Sequence, residues 1–281
     1  MKVSGFTFVR NVVKYDYPVV ESIRSVLPVI DEFIVNVGRC DDGTLELIRS
    51  IGDPKIRIVE SVWDETLRKD GLIYAQQTNI ALAHCTGDWA FYLQADEVVH
   101  EHDLPIIQGA MRRHLGNLEV KGLLFRYLHF VADYWTTNPW FYHKAVRIIR
   151  NNGEVESCGD AVGFHLKATQ QYLQSGPKEW LPYSDAHIFH YGWVKDPKTM
   201  LAKVKEQIAV YHGTTPPPEQ AALYQQKTFQ YEDYAVLKDF VGQHPSVMRE
   251  RIREARRWGP RRSRWLNLQF YREVLRRGFR G

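Results

Sequence analysis

The chain holds three cysteines in 281 residues, Cys40, Cys85 and Cys158. Their odd number and wide spacing form no Cys-x-x-Cys pair, which excludes a disulfide scaffold and a cysteine-based zinc site and implies a reducing compartment. No apolar run on the order of 18 residues occurs, so no membrane-spanning helix is expected. The opening Met1–Asp16 lacks the apolar stretch of a signal peptide. There is no internal repeat and no low-complexity tract. Composition is 44% hydrophobic and 25% charged, which excludes disorder and collagen-like architecture. A folded, soluble, cytoplasmic protein of one large or two small domains is expected.

Charge is unevenly placed. From Arg249 onward there are 12 arginines, no lysine and three glutamates, so this end carries +9 against an overall +4, and the remaining body carries −5. A mildly acidic body with a strongly basic end points to two different surfaces.

The first hundred residues alternate strand and helix signals. Strands are expected at Val3–Val9, Phe33–Val37, Ile56–Val59 and Trp89–Leu93, and helices at Tyr17–Leu27, Thr44–Ser50 and Leu72–His84. Such alternation predicts an α/β fold with a mostly parallel central sheet flanked by helices. Ligands in these folds bind beyond the carboxyl ends of the strands, which directs attention to the loops after Val9, Val37, Val59 and Leu93. Farther on, Gly122–Phe130 and Lys144–Ile149 read as strands. Asp196-Pro197 opens a helix carrying Leu201, Val204, Ile208 and Tyr211 at helical spacing. Thr214–Pro218 reads as a stiff break, followed by helix to about Val241. The expected organisation is a domain over 1–212, divided at 103 into a nucleotide-binding and an acceptor half, and a helical, arginine-rich extension over 213–281.

Three clusters can carry chemistry. A buried strand running into Gln94-Ala95-Asp96-Glu97 delivers two acids at its carboxyl end. One of them can hold a hard divalent cation and through it a diphosphate, or the pair can serve as a turn former and a solvated acid. Asn36-Val37-Gly38-Arg39-Cys40-Asp41-Asp42-Gly43-Thr44 lies on the same sheet edge and can hydrogen-bond a base or ribose, or simply cap the helix at Thr44. Asp185-Ala186-His187-Ile188-Phe189-His190 places two imidazoles three residues apart, as metal ligands or as packing.

Together these segments resemble family 2 glycosyltransferases of the GT-A fold, well over 3–103 and more weakly over 122–212. Val3–Asn11 is similar to the family's opening strand, and Asn36–Thr44 to its segment for uracil and ribose. Asn79 matches a position that the family usually fills with Asn. Gln94-Ala95-Asp96-Glu97 stands where the family has an Asp-x-Asp metal motif, with Gln94 in place of the first Asp. His190 stands where some members place a late His. The resemblance implies Asp96 and His190 as metal ligands. Arg10, Asn36, Gly38, Asp41, Lys69 (or Arg68), Asn79 and Gln94 are the implied donor-binding residues. The cofactors implied are Mn²⁺ or Mg²⁺ and a sugar nucleotide linked to UDP or GDP.

The reaction implied is inversion at the sugar carbon, which needs a carboxylate to take the acceptor proton. Glu154, Glu156 and Asp160 are the candidates, and Asp160 is chosen because Gly159 and Ala161 leave room beside it. Tyr127, Tyr134, Trp135, Trp140, Phe141 and Tyr142 crowd one region, as a sugar-stacking surface or as core. The acceptor implied is a glycan or a lipid-linked molecule.

Over 249–281, Leu268, Tyr271 and Leu275 fall on one helical face beside Arg272, Arg276 and Arg277. Such a helix fits peripheral contact with the inner face of a membrane, or packing on the acidic body. Two rival functions stand: a non-catalytic sugar or nucleotide binder on the same fold, and a nucleic-acid binder acting through the basic end, for which no nucleic-acid module is present.

Overall fold

The computed structural model describes residues 1–67, 69–212, 216–231, 236–257 and 268–277. The chain begins with β1 (Val3–Val9), α1 (Val19–Val26), β2 (Glu32–Gly38), α2 (Thr44–Arg49), β3 (Ile56–Ser61), α3 (Leu72–Leu82) and β4 (Trp89–Tyr92). It continues through β5 (Glu97–Val99), α4 (Leu104–His114), β6 (Gly122–Val131), β7 (Thr136–Thr137), β8 (Lys144–Arg150), β9 (Val155–Cys158) and β10 (Gly163–Leu166). The described part ends with β11 (Tyr183–Trp193), α5 (Pro197–His212), α6 (Ala221–Gln225), β12 (Lys238–Asp239), α7 (Arg249–Arg253) and α8 (Leu268–Arg277).

The expected α/β architecture is present. In the main sheet the order runs β12-β7-β6-β8-β4-β1-β2-β3, with β11 joined to β5 and β6. From β3 to β4 every pairing is parallel. Beyond β4 the sheet becomes mixed: β8 pairs antiparallel with β4 and β6, whereas β11 lies parallel to β6. The inner parallel strands β1, β2 and β4 are almost wholly buried, as expected of strands covered on both faces. Phe6, Phe33, Ile34, Phe91 and Tyr92 are all fully buried.

Helix α1 shows why its sequence folds as it does. Val19, Ile23 and Val26 share a buried stripe, and two serines beside them are buried with them. Ser22 Oγ donates to the carbonyl of Gln94 (3.0 Å), and Ser25 Oγ accepts the Val99 N–H (3.1 Å). The helix thereby holds the turn that follows β4.

One expectation changes. The helix expected to reach Val241 stops at Gln225, because Phe229 N–H bonds the Pro197 carbonyl (2.9 Å) and Tyr231 Oη donates to the Lys195 carbonyl (2.9 Å). Burial of Tyr231 and Leu237 against Val131 and Met200 outweighs local helix propensity. Packing also crosses residue 212: Met248 joins Phe130 and Tyr191 in one apolar cluster. Arg251 is held by Asp16 and by Glu21 (3.2 Å), and Arg257 lies 3.3 Å from Asp239, so part of the basic end is paired with the acidic body. Thr214, Thr215, residues 232–235 and 258–267 lie outside the described residues.

At the opposite edge of the sheet, Glu32 is buried at the start of β2. Burial alone raises a carboxyl pKa, but bonds from Ser4 Oγ (2.6 Å), Thr86 N (2.8 Å) and Thr86 Oγ1 (2.7 Å) prevail and hold it at about 2. Its folded value lies below its ordinary 4.5, so its stabilisation is complete above pH 4.5 and is lost as pH falls toward 2. Glu32→Gln is expected to cost roughly 1–3 kcal/mol at neutral pH. Urea unfolding at a series of pH values should show a shallower loss of stability over that acid window than in the wild type.

Candidate active site

The carboxyl ends of β1 and β4, the end of β11 and one face of α5 enclose a cleft. Arg10, Gln94, Asp96, Asp160 and His190 line it, together with Lys203, Glu206, Gln207 and Tyr211 of α5. Its aromatic wall is a run of touching rings: Phe8 against Trp63 and Tyr74, and Tyr74 against Tyr211.

The turn after β4 separates its two acids. Glu97 is fully buried and takes both its oxygens to Arg147, each at 2.7 Å. It also accepts Tyr127 Oη (2.8 Å) and Gln94 N–H (3.1 Å). Glu97 is therefore a buried structural anion, neither solvated nor free to ligate. Asp96 turns the other way. Its backbone carbonyl accepts the Tyr191 N–H (2.8 Å), which locks the turn to β11. Its Oδ2 lies 3.7 Å from His190 Nε2 and 3.8 Å from Lys203 Nζ. A Cβ on Gly192 would stand 2.3 Å from that same oxygen, so only glycine admits the carboxylate there. Burial raises the Asp96 pKa, but its interactions with His190, Lys203 and Lys195 prevail and keep it below the ordinary range. Lys195, itself buried, is pulled down to about 7 by burial and by the neighbouring Lys203 ammonium.

The histidine pair has one consistent protonation. Burial pushes His129 down to about 3, so it is neutral. Its Nε2 faces the Tyr142 carbonyl at 2.7 Å, and a carbonyl only accepts, so Nε2 carries the proton. His129 Nδ1 is then an acceptor, and His190 Nδ1, 3.1 Å away, must donate to it. Burial also lowers the pKa of His190. In the neutral form that burial favours, His190 presents a bare Nε2 lone pair toward Asp96. A carboxylate oxygen and an imidazole lone pair facing each other over 3.7 Å fit a divalent cation held between them. Elsewhere among the described residues, His100, Glu101 and His102 bring ligand atoms within 4.8 Å of one another, but the last two are exposed and none lines the cleft.

The remaining candidates divide. Asp160 sits at the rim in a turn with Gly159 and Ala161 at φ 59° and 64°, and accepts Tyr211 Oη at 3.2 Å. Arg10 pairs with Glu65 (2.8 Å) and lies over the Trp63 ring. Gln94 Nε2 donates to the Ala161 carbonyl (3.4 Å). Asn36 does not line the cleft: it is fully buried and gives both N–H bonds to Gln77, at 2.9 Å each. Gly38 is covered by the Trp63 indole, which a Cβ would meet at 2.2 Å. Asp41 is exposed in the loop after β2, where Asp42 does the capping. Asn79 braces α3 to β9 through the N–H and carbonyl of Ser157 (2.8 and 3.0 Å). The Lys69 side chain and Arg68 lie outside the described residues. His187 parts from His190, its N–H bonded to Asp103 (2.8 Å), because residues three apart on a strand point to opposite faces. Tyr127 and Tyr134 are core, whereas Phe141 and Tyr142 line the cleft. Sequence reasoning overlooked Lys203, Glu206 and Gln207, which read as an ordinary solvated helix face.

The family model for glycosyl transferase family 2 matches residues 9–173, more than half of the chain. The chain belongs to glycosyl transferase family 2. Its sheet, parallel from β3 to β4 and mixed beyond, is the GT-A arrangement of this family. Among solved structures, S. aureus TarS is 13% identical over 80% of this chain and 42% of that one, with a TM-score of 0.46. A structure of S. aureus TarS 1–349 in complex with UDP-GlcNAc is 14% identical over 80% and 70%, with a TM-score of 0.43. Glucosyl-3-phosphoglycerate synthase from Mycobacterium tuberculosis, in complex with Mn²⁺, UDP and phosphoglyceric acid, is 17% identical over 45% and 43%, with a TM-score of 0.32. The chain thus spans less than half the length of the first and third of these proteins. No curated protein matches it. The family match ends before β11 and α5, the elements that carry His190 and Lys203. Among the described residues no helix is long and apolar enough to cross a membrane.

Two measurements test this geometry. The ¹⁵N shifts of the His190 ring should show a protonated Nδ1 and an unprotonated Nε2 in the free protein; the reverse tautomer would overturn the assignment. Arg147→Met should lower unfolding free energy by about 3–5 kcal/mol, because it leaves the Glu97 charge buried and unpaired.

Proposed function

We propose that this chain is an inverting glycosyltransferase that moves a sugar from a nucleoside diphosphate to a hydroxyl of a glycan or lipid-linked acceptor. The observation that carries the reading is the meeting in one cleft of the Asp96–His190 pair, fit for a cation, and of Asp160, a rim carboxylate. UDP is the donor nucleotide of choice and Mn²⁺ the cation, since the TarS and synthase structures hold UDP, UDP-GlcNAc or Mn²⁺ with UDP.

In the reaction Asp160 takes the acceptor hydroxyl proton. The acceptor oxygen bonds to the sugar carbon from the face opposite the leaving group, and the carbon–oxygen bond to the diphosphate breaks with its electron pair remaining on the diphosphate. Inversion follows from this single displacement. Tyr211 Oη orients the Asp160 carboxylate. Asp96 and His190 would hold the divalent cation, which supplies positive charge to the leaving diphosphate. The aromatic wall of Phe8, Trp63 and Tyr74 limits water access.

The acceptor class is supported by the far end of the chain. On α8, Phe270 packs against Trp140 and Val236, while Leu268, Tyr271 and Leu275 are exposed. An exposed apolar stripe beside Arg272 suits an anionic lipid surface, near which a lipid-linked acceptor would be met.

Release of UDP from UDP-GlcNAc and UDP-glucose tests the reading. Asp160→Asn is expected to lower turnover by about 10²–10⁴-fold with donor affinity within about 2-fold of wild type. Asp96→Ala is expected to lose Mn²⁺-dependent UDP binding. Absence of metal-dependent UDP binding in the wild type would remove UDP as donor. Binding without turnover in the wild type would favour a non-catalytic nucleotide binder.

A further inference from the structure

The floor of the cleft holds a cation that the family match does not reach. Lys203 projects from α5 and lines the cleft. Its ammonium donates one hydrogen bond, to the Gly192 carbonyl, at 2.6 Å. Asp96 Oδ2 lies at 3.8 Å, an ion-pair distance too long for a direct hydrogen bond. The Tyr17 and Trp193 rings flank the ammonium at 5.1 and 5.7 Å and hold its charge without accepting a strong hydrogen bond. An ammonium has three N–H donors. Lys203 is mostly buried, and its contacts among the described residues satisfy one of the three.

Behind it lies Lys195. That ammonium is also buried, donates to the Asp16 carbonyl (2.8 Å) and sits 4.4 Å from the same Tyr17 ring. Lys203 and Lys195 thus flank one tyrosine, and Asp96 is the carboxylate within ion-pair distance of Lys203. The adjacent acid cannot neutralise them, because Glu97 is consumed by Arg147. The other acids lining the cleft, Asp160 and Glu206, belong to its rim and to α5. Charge and open donors at the floor call for an anion with several acceptor oxygens.

We propose that Lys203 is a phosphate ligand of the donor, binding the diphosphate directly, so that the site keeps part of its diphosphate affinity without a divalent cation. The proposal rests on the reading of this cleft as a nucleoside-diphosphate site. Asp96 Oδ2 is then shared. In the free protein it pairs with Lys203. A cation held by Asp96 and His190 would take over that carboxylate oxygen and leave the Lys203 ammonium to the phosphate oxygens. The ammonium and the cation act on the same leaving group, and either alone supports binding.

The experiment is calorimetric titration of the full chain with UDP and with inorganic pyrophosphate, each in EDTA and in Mn²⁺. In EDTA the wild type should bind both. Lys203→Met should weaken both by at least about 10-fold, while Lys203→Arg, which restores the charge and N–H donors, should stay within about 3-fold. Asp96→Asn should keep or improve pyrophosphate binding in EDTA and lose the gain conferred by Mn²⁺. Thermal unfolding of each variant verifies that the chain is folded, and the Arg variant separates loss of charge from loss of packing. Wild type that binds UDP with Mn²⁺ but binds neither anion in EDTA overturns the proposal and leaves the functional reading intact. So does Lys203→Met binding UDP in EDTA as well as the wild type. Failure to bind UDP under either condition removes the nucleotide reading; pyrophosphate binding abolished by Lys203→Met would then still uphold the anion site, and its absence would bring down both.

Discussion

The buried pair of Glu97 and Arg147 is the interaction on which the site depends. Both side chains are wholly inaccessible, and two parallel bonds of 2.7 Å join them. Arg147 is flanked by the rings of Tyr92 and Tyr127 and donates to the Val162 carbonyl (3.1 Å). Glu97 reaches the backbone of Gln94 and the hydroxyl of Tyr127. One ion pair therefore joins the turn carrying Asp96, the strand leading to His129, and the turn following Asp160. Burying two charges is costly and repays itself only when the remaining donors and acceptors are satisfied. Here they are, and the result is a rigid frame on which three loops are set at fixed positions.

Within that frame, the choice between the two adjacent acids is electrostatic. Glu97 faces the guanidinium and becomes part of the core. Asp96 faces the His190 imidazole and the Lys203 ammonium and lines the cleft. Two consecutive acids thus contribute a structural anion and a carboxylate that faces the cleft, set apart by the direction of the turn. Gly192 completes the arrangement because any side chain there would occupy the space of the Asp96 carboxylate.

The later part of the chain closes the cleft. β11 brings His190 opposite Glu97 in antiparallel register, and α5 lays Lys203, Glu206, Gln207 and Tyr211 along one side. Tyr231 and Leu237 pack against Val131 and Met200, and Met248 packs against Phe130 and Tyr191. The body and the chain beyond residue 212 are consequently one continuous packing arrangement over the described residues, with Arg251 as an anchor onto Asp16 and Glu21.

The alternating pattern of the first hundred residues was sufficient for the parallel half of the sheet, since strand and helix periodicities are local properties of the chain. The acidic strand end was also legible from its residues, whereas His190 was singled out by the resemblance to the family; the fold brings Asp96 and His190 to one cleft. Tertiary structure decided the rest. Asn36 and Asn79, polar residues at plausible positions, turned inward to satisfy Gln77 and Ser157, and nothing in their neighbours announces that partner. Lys203 looked like a solvated helix residue until α5 was laid over the cleft. The chain alone specified which groups could do chemistry; long-range pairing determined which of them face the same space, because a side chain's partners are set by the packing of elements distant in sequence.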